Sequence, residues 1–460
     1  MRSRSKASPG FYRQMLALAI PIALQNMLTS CGSLIDTAMV ARLGNVATTA
    51  VGIGAKCVML IQMVTFGFCS GGSVLIAQYW GAKDEKGVRR AYCIGLWMCM
   101  AAAALFTAAA LLLPDRLIRI FTDEEAVCRA GTEYLRIVAL GVLPCAFANM
   151  ASMARRSVEE VRLPLLASAL AVAVNCTLNY ALIYGRLGLP RLGLPGAAAA
   201  TAISQLVQAL LMLGAGIRQK HFTVLGALDL RRISPGFFKK YLRIAMPVVC
   251  NESIWGLLFN AYSMIYARQG SANYAAYTLY SSIESLVFVF FIGACSACSI
   301  LIGKTIGQGR KEESQHIAAQ TLRIFVAMGL VLGGTLACFR WPLIRLLGVE
   351  DPATAQLTAS ILLFYCCWCP VRQLNYVLVV GILRAGGDTK VSALLDVGVM
   401  AVWSVPVVWC LTYVLKLPFL WCVCGGFIAE DVVKLPLCLW RLKSGKWIRV
   451  LAEPQSGSAL

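Results

Sequence analysis

Apolar runs long enough to cross a bilayer recur along almost the whole chain, with only short polar breaks between them. Few folds accommodate that pattern. A hydrocarbon layer about 30 Å thick needs roughly 20 apolar residues per helical span. Runs between charged or Gly/Pro-marked breaks give twelve candidate helices, near residues 11–40, 46–79, 89–113, 128–153, 163–185, 194–217, 238–267, 273–304, 317–340, 355–383, 391–415 and 418–441. Charged residues make up 14% of the chain, against roughly 25% in a soluble domain. The pattern predicts an all-α, multi-pass membrane protein. Several runs exceed the minimum span, which permits tilt.

The net charge of +20 would suggest a polyanionic partner if the basic residues formed one patch. They recur instead between apolar spans, in alternate connections such as "GAKDEKGVRR", "GKTIGQGRKEE", "LRAGGDTK" and "WRLKSGKWIR". Lys and Arg mark cytoplasmic loops, so both termini are predicted cytoplasmic, and no nucleic-acid partner is expected. The 19 cysteines are scattered, many inside apolar runs such as "FYCCWCP", where reduced Cys behaves as a small hydrophobe. "CSAC" at Cys295 and Cys298 has no second ligand pair at zinc spacing. The run behind the basic N-terminus is too long and too proline-broken for a cleaved signal, and is read as a retained first span.

Sliding the chain on itself by 226 residues reveals an internal repeat. Pro21 meets Pro247, "ARLG" at 41–44 meets "ARQG" at 267–270, and Gly67, Cys69, Ser70, Ser73 and Gly81 meet Gly293, Cys295, Ser296, Ser299 and Gly307. Pro144 meets Pro370, and Asn149 meets Asn375. Each half has six spans and starts on the same side, so the halves are parallel repeats about an axis along the membrane normal. The expected division is an N-lobe over 1–217, a cytoplasmic linker over 218–238, a C-lobe over 239–445 and a cytoplasmic tail over 446–460. Such bundles keep a substrate site where the repeats meet, which favours alternating access.

One segment of the first span, "IPIALQNMLTSCGSLIDTAMVARLG", holds a proline, Pro21, and a carboxylate, Asp36, with nothing basic on the adjacent turns. Pro21 lacks a backbone donor and is expected to bend the helix. An ionised carboxylate in hydrocarbon costs several kcal/mol unless paired or hydrated. Pro21 and Asp36, then "GGSVLIAQYWGAKD", "PVVCNESIWG" and "GILRAGGDTK", in this order and spacing, resemble the multidrug and toxic compound extrusion (MATE) exporters. The resemblance covers about residues 11–445. It implies twelve helices in two lobes and export of organic, often cationic and amphiphilic, compounds driven by a proton or sodium gradient.

By the same resemblance Asp36 is the cation or proton site of the N-lobe, with partners on the fifth helix. There "NCTLN" places Asn175 and Asn179 four residues apart on one helix face, so two amide oxygens can converge on a cation or on the carboxyl group. Some relatives carry a second acid where Asn179 stands. With asparagine there the site holds one negative charge, which opens it to a sodium ion. Thr201 on the sixth helix is a further candidate by similarity. The alternative is that Asp36 only hydrogen-bonds within a kinked helix.

Resemblance also marks Glu252, in "NESIWG", as a substrate-cation or coupling-ion residue of the C-lobe. A branch of the family carries an acid on helix ten where this chain has Gln373, which argues against a two-carboxylate sodium site there. Glu284 and Lys56 are charges inside the eighth and second spans, and are expected to pair between the lobes or to face cavity water. Asp396, Glu430, Asp431 and Lys434 lie in or near the last two spans, with Glu430 and Lys434 at i, i+4, which suggests a structural pair. In "RAGGDTK" the glycines Gly386 and Gly387 permit a tight turn, and Asp388 is expected to cap the next helix.

Other activities fit less well. "LIGKT" at 301–305 lacks the glycine a phosphate-binding loop needs at 298, where the chain has Cys298. The only histidines, His221 and His316, lie in loops and form no metal or nucleophile motif, so no enzyme and no cofactor beyond the coupling ion is expected. A lipid-linked oligosaccharide flippase of the wider superfamily should line its cleft with several arginines for pyrophosphate; the cleft helices here carry few. An ion channel is the remaining rival. The sequence therefore predicts a monomeric antiporter of the cell membrane, exchanging small organic compounds for protons or sodium.

Overall fold

The computed structural model describes residues 9–226, 233–346, 349 and 351–452. The middle of the expected linker and the last residues of the tail lie outside that range. Every regular element among the described residues is helical. The first half holds α1 Pro9–Ala41, α2 Asn45–Gly81, α3 Glu85–Leu112, the short α4 Pro114–Arg119, α5 Glu125–Leu140, α6 Val142–Ser157, α7 Arg162–Tyr184, α8 Leu194–Arg218 and the single turn α9 Phe222–Leu225. The second holds α10 Pro235–Ala267, α11 Ser271–Gly307, α12 Lys311–Leu346, α13 Pro352–Tyr376, α14 Thr389–Ala393, α15 Val405–Tyr413 and α16 Phe419–Lys443.

Among the described residues ten helical stretches are long and apolar enough to cross a membrane, and the pair α5 and α6, bent by 44°, makes an eleventh. α16 matches them in length but carries Glu430, Asp431 and Lys434 at its middle. Exposed tryptophans near its two ends, Trp421 and Trp440, suit the two bilayer interfaces. Large apolar side chains such as Leu105, Leu112, Leu330 and Val402 are also exposed, as lipid-facing positions of a multi-pass membrane protein are. The bend between α5 and α6 falls at Gly141, where a Cβ would lie 2.8 Å from the backbone of Ala202 on α8. This close approach breaks the run expected as one helix over 128–153.

The repeat is visible in the helix boundaries. α1 and α10 are both 33 residues long, α2 and α11 both 37, and each pair starts and stops 226 positions apart. The last glycine of "ARLG" and that of "ARQG" do the same job: Gly44 at φ 102° and Gly270 at φ 112° turn the chain through a conformation that side-chain-bearing residues rarely adopt. Both proline helices run through Pro21 and Pro247 without interruption.

Two compact units emerge, divided inside those proline helices. One is Leu24–Glu252; the other is Ser253–Leu460 together with the chain up to Ala23. Glycine explains why. In the first unit a Cβ on Gly67 would lie 2.5 Å from Val249 Cα, so α2 packs backbone to backbone on the start of α10. In the second, a Cβ on Gly293 would lie 2.6 Å from Ala23 Cβ, so α11 packs likewise on the start of α1. These contacts are repeat mates, since 67 and 23 become 293 and 249 at the same offset. Gly67→Val should therefore overpack the first unit and cost about 1–3 kcal/mol, read as a lower melting temperature in detergent.

At the end of each half the chain folds back on a loop between two helices. In the second unit Trp447 is fully buried against Gly386, and Arg449 N–H donates to the Gly386 carbonyl at 2.9 Å. Asp388 does not cap α14: its buried carboxylate takes Arg441 Nε at 2.7 Å and Arg449 Nη2 at 2.6 Å. Two arginines outcompete the backbone amides for it. In the first unit the positions 226 residues earlier, Glu160 and His221, also meet, with His221 Nε2 3.3 Å from Glu160. His221 Nδ1 accepts the Thr223 N–H at 3.3 Å, which leaves Nε2 to carry the proton.

The buried Arg155 adds a 2.7 Å bond to Glu160. The hydrogen bond from His221, and then the charge of Arg155, hold the Glu160 carboxyl below the usual carboxylate range. A lowered folded value adds stability above the unfolded pKa, and that stability is lost as pH falls through the folded one. Melting temperature should therefore drop more steeply on acidification below roughly pH 4 in the wild type than in Glu160→Gln.

Candidate ion-coupling site

The second half of α1 packs on α7 and α8. Val40, Ile183 and Ala197 form a buried cluster there, and Tyr184 donates to the Met39 carbonyl at 3.0 Å. One turn before Asp36, a Cβ on Gly32 would lie 2.9 Å from the Val172 side chain, so α1 and α7 run close. Asp36 and the "NCTLN" face of α7 meet at this contact.

Asn179 Nδ2 donates to Asp36 Oδ1 at 2.6 Å and to Asn175 Oδ1 at 3.2 Å. Both partners are acceptors, which fixes the amide's orientation. Asn179 Oδ1 is consequently left as a buried acceptor with no hydrogen-bond partner, on a residue with no exposed surface. Leaving such a group unmade costs about 1–3 kcal/mol. Carboxylate and amide oxygens are ligands that suit a small hard cation, and a protonated Asp36 could instead donate to an amide oxygen. The residues present fit either form of the coupling ion. Asp36 itself is half-buried, so it is reachable.

Thr201 does not complete this set. Its hydroxyl donates to the Ala197 carbonyl of its own helix at 3.1 Å, and it lines a pocket with Gln62, Thr65, Val138, Cys145 and Gln205. Lys56 is exposed on α2, and Glu252 is half-buried at the end of the first unit.

Glu284 finds its partners within its own unit. Tyr280 donates to it at 2.6 Å, and Arg372 Nε lies 3.4 Å away. Arg372 also reaches Glu430 at 3.9 Å and stacks 4.9 Å above the Phe427 ring. The expected Glu430–Lys434 pair is present at 2.7 Å, and Lys434 is shared with Asp396 at 2.8 Å. Asp396 lies in a π-helical turn, Leu394–Gly398, one of three in this half with Val377–Leu383 and Met400–Ser404. Such turns re-aim side chains and often mark functional sites. Sequence reasoning missed Arg372, although an arginine inside the apolar run "CCWCPVRQLNY" was the available signal.

The comparisons with known proteins agree with this architecture. The chain is 25% identical over 452 residues to a probable multidrug resistance protein NorM of Thermotoga maritima, covering 95% of this chain and 94% of that protein. It is 25% identical over 444 residues to the probable multidrug resistance protein YoeA of Bacillus subtilis, with 95% and 94% covered. Among solved structures, a MATE in its straight conformation superposes with a TM-score of 0.85 at 20% identity, over 96% of this chain and 100% of that one. A MOP-superfamily transporter from Pyrococcus furiosus superposes at 0.83 with the same identity and coverage. The MatE family model matches residues 21–181 and 245–410, the two copies of the repeat and more than half of the sequence, and the chain belongs to the MatE family.

Proposed function

We propose that the protein is a secondary active antiporter that exports organic, amphiphilic cations in exchange for protons or sodium ions by alternating access. The observation that carries this reading is the Asp36–Asn179–Asn175 constellation, a single intramembrane acid beside a buried amide oxygen that has no partner. The names of the NorM and YoeA relatives, multidrug resistance proteins, support the substrate class. Cation occupancy at Asp36 and substrate occupancy are then alternatives, so an ion entering from outside drives the release of a compound from inside. The intramembrane cluster around Glu284 pairs three acids, Glu284, Glu430 and Asp396, with two bases, which suits a cation and not a pyrophosphate-linked lipid. Both termini lie in the cytoplasm and the monomer is the working unit.

Ethidium movement in inverted membrane vesicles tests the reading. Accumulation against the ethidium gradient is expected only while a proton or sodium gradient is imposed. Equilibration without accumulation would make the protein a channel.

A further inference from the structure

The second unit holds an acid that the ion pairs leave over. Asp431 sits at the middle of α16 and is 2% exposed. Among the described residues no lysine or arginine nitrogen lies within 4 Å of its carboxylate. Its oxygens accept instead from two neutral donors on α13, Trp368 Nε1 to Oδ2 at 2.8 Å and Asn375 Nδ2 to Oδ1 at 2.8 Å. With Arg372, these residues form one face of α13 at i, i+4 and i+7. Asn375 Nδ2 also bonds the Asp431 carbonyl at 3.3 Å. Two acceptors thus fix that amide as well, and Asn375 Oδ1, on a residue 3% exposed, has no partner.

The surrounding charges make the same point. Facing this region are Arg372 on α13, Glu430 and Lys434 on α16, Glu284 with Tyr280 on α11, and Asp396 in the π-helical turn after α14. With Asp431 they comprise four carboxylates and two bases, an excess of two negative charges inside a span. A proton on Asp431 removes one of them and turns the carboxyl into a donor beside Asn375 Oδ1, the buried acceptor that has no partner. A metal cation is the poorer occupant, because it would sit against Arg372 and an indole N–H.

We propose that Asp431, held between Trp368 and Asn375, is a proton-binding site of the second unit, separate from Asp36. It rests on the antiport reading only for its role in transport; proton binding itself is independent. The site takes up a proton from water reaching the partly exposed Arg372–Glu284 edge of the cluster and returns it on deprotonation.

Infrared difference spectra of the purified wild type, recorded between acid and alkaline pH, test it without any transport assay. A carboxylic-acid band that titrates is expected in the wild type and in Asp36→Asn, and is expected to be missing in Asp431→Asn. Retention of every such band in Asp431→Asn would overturn the proposal. Trp368→Phe keeps the acid but removes a donor to its charged form, and decides the matter if Asp431→Asn does not fold. Its band should titrate about one pH unit higher, roughly a tenfold gain in proton affinity, and an unmoved midpoint would overturn the proposal. If wild-type vesicles fail to accumulate ethidium while these bands behave as expected, the antiport reading fails and the proton site stands.

Discussion

Asp36→Asn is expected to reduce gradient-driven efflux of ethidium to the level of vesicles that lack the protein, while the variant still folds. Asparagine is nearly isosteric and can exchange a hydrogen bond with Asn179, so the contact between α1 and α7 survives. The charge that attracts a cation, or the group that takes a proton, does not. Asn179→Ala should give a milder phenotype. It removes the 2.6 Å donor to Asp36 and the unpartnered Oδ1 together, which weakens ion binding without abolishing it. The measurement is the initial rate of ethidium efflux at several external proton and sodium concentrations. A right-shifted ion dependence in Asn179→Ala, beside a flat one in Asp36→Asn, separates the two roles.

The largest effect on stability is expected at Lys434. This ammonium is 5% exposed and lies 2.8 Å from Asp396 and 2.7 Å from Glu430. Lys434→Met leaves both carboxylates buried with one fewer cation, a change that costs about 3–5 kcal/mol when a buried pair is broken from one side. Glu430→Gln should cost far less, because Lys434 then keeps Asp396 and Arg372 keeps Glu284. Thermal unfolding followed by tryptophan fluorescence in detergent distinguishes the two. Equal melting temperatures for these variants would mean that the cluster is hydrated enough to tolerate an unpaired charge.

Much of the fold was legible because it is written twice. The 226-residue offset aligns Gly67 with Gly293 and "ARLG" with "ARQG", and those positions are close helix approaches and paired positive-φ turns. What the repeat could not convey is which helix meets the start of each proline helix. That depends on contacts between residues far apart in sequence, Gly67 with Val249 and Gly293 with Ala23. The N-terminal site was legible as residue types at one-turn spacing, because Asn175 and Asn179 share a helix face and a lone intramembrane acid needs partners. Thr201 was assigned by similarity alone, and its hydroxyl bonds its own helix.

The cluster of the second unit was the least legible part. Local spacing reveals Glu430–Lys434 but not Arg372, Asp396 or Glu284, which come from three other elements. The π-helical turn that carries Asp396 shifts side-chain phase by a fraction of a turn, and no i, i+4 count predicts that. Asp388 misled for a related reason: an acid after two glycines reads as a helix cap until a chain segment some sixty residues later delivers Arg449 to it.

The central claim is that movement of the organic substrate is tied to a counter-moving cation through Asp36. Purified protein in liposomes, given an outward ethidium gradient and no ion gradient, tests it most directly, with internal pH and sodium followed at once. Proton or sodium movement opposite to ethidium is expected in the wild type and none in Asp36→Asn. Ethidium flux without any opposed cation movement, or an undiminished counterflow in Asp36→Asn, would contradict it.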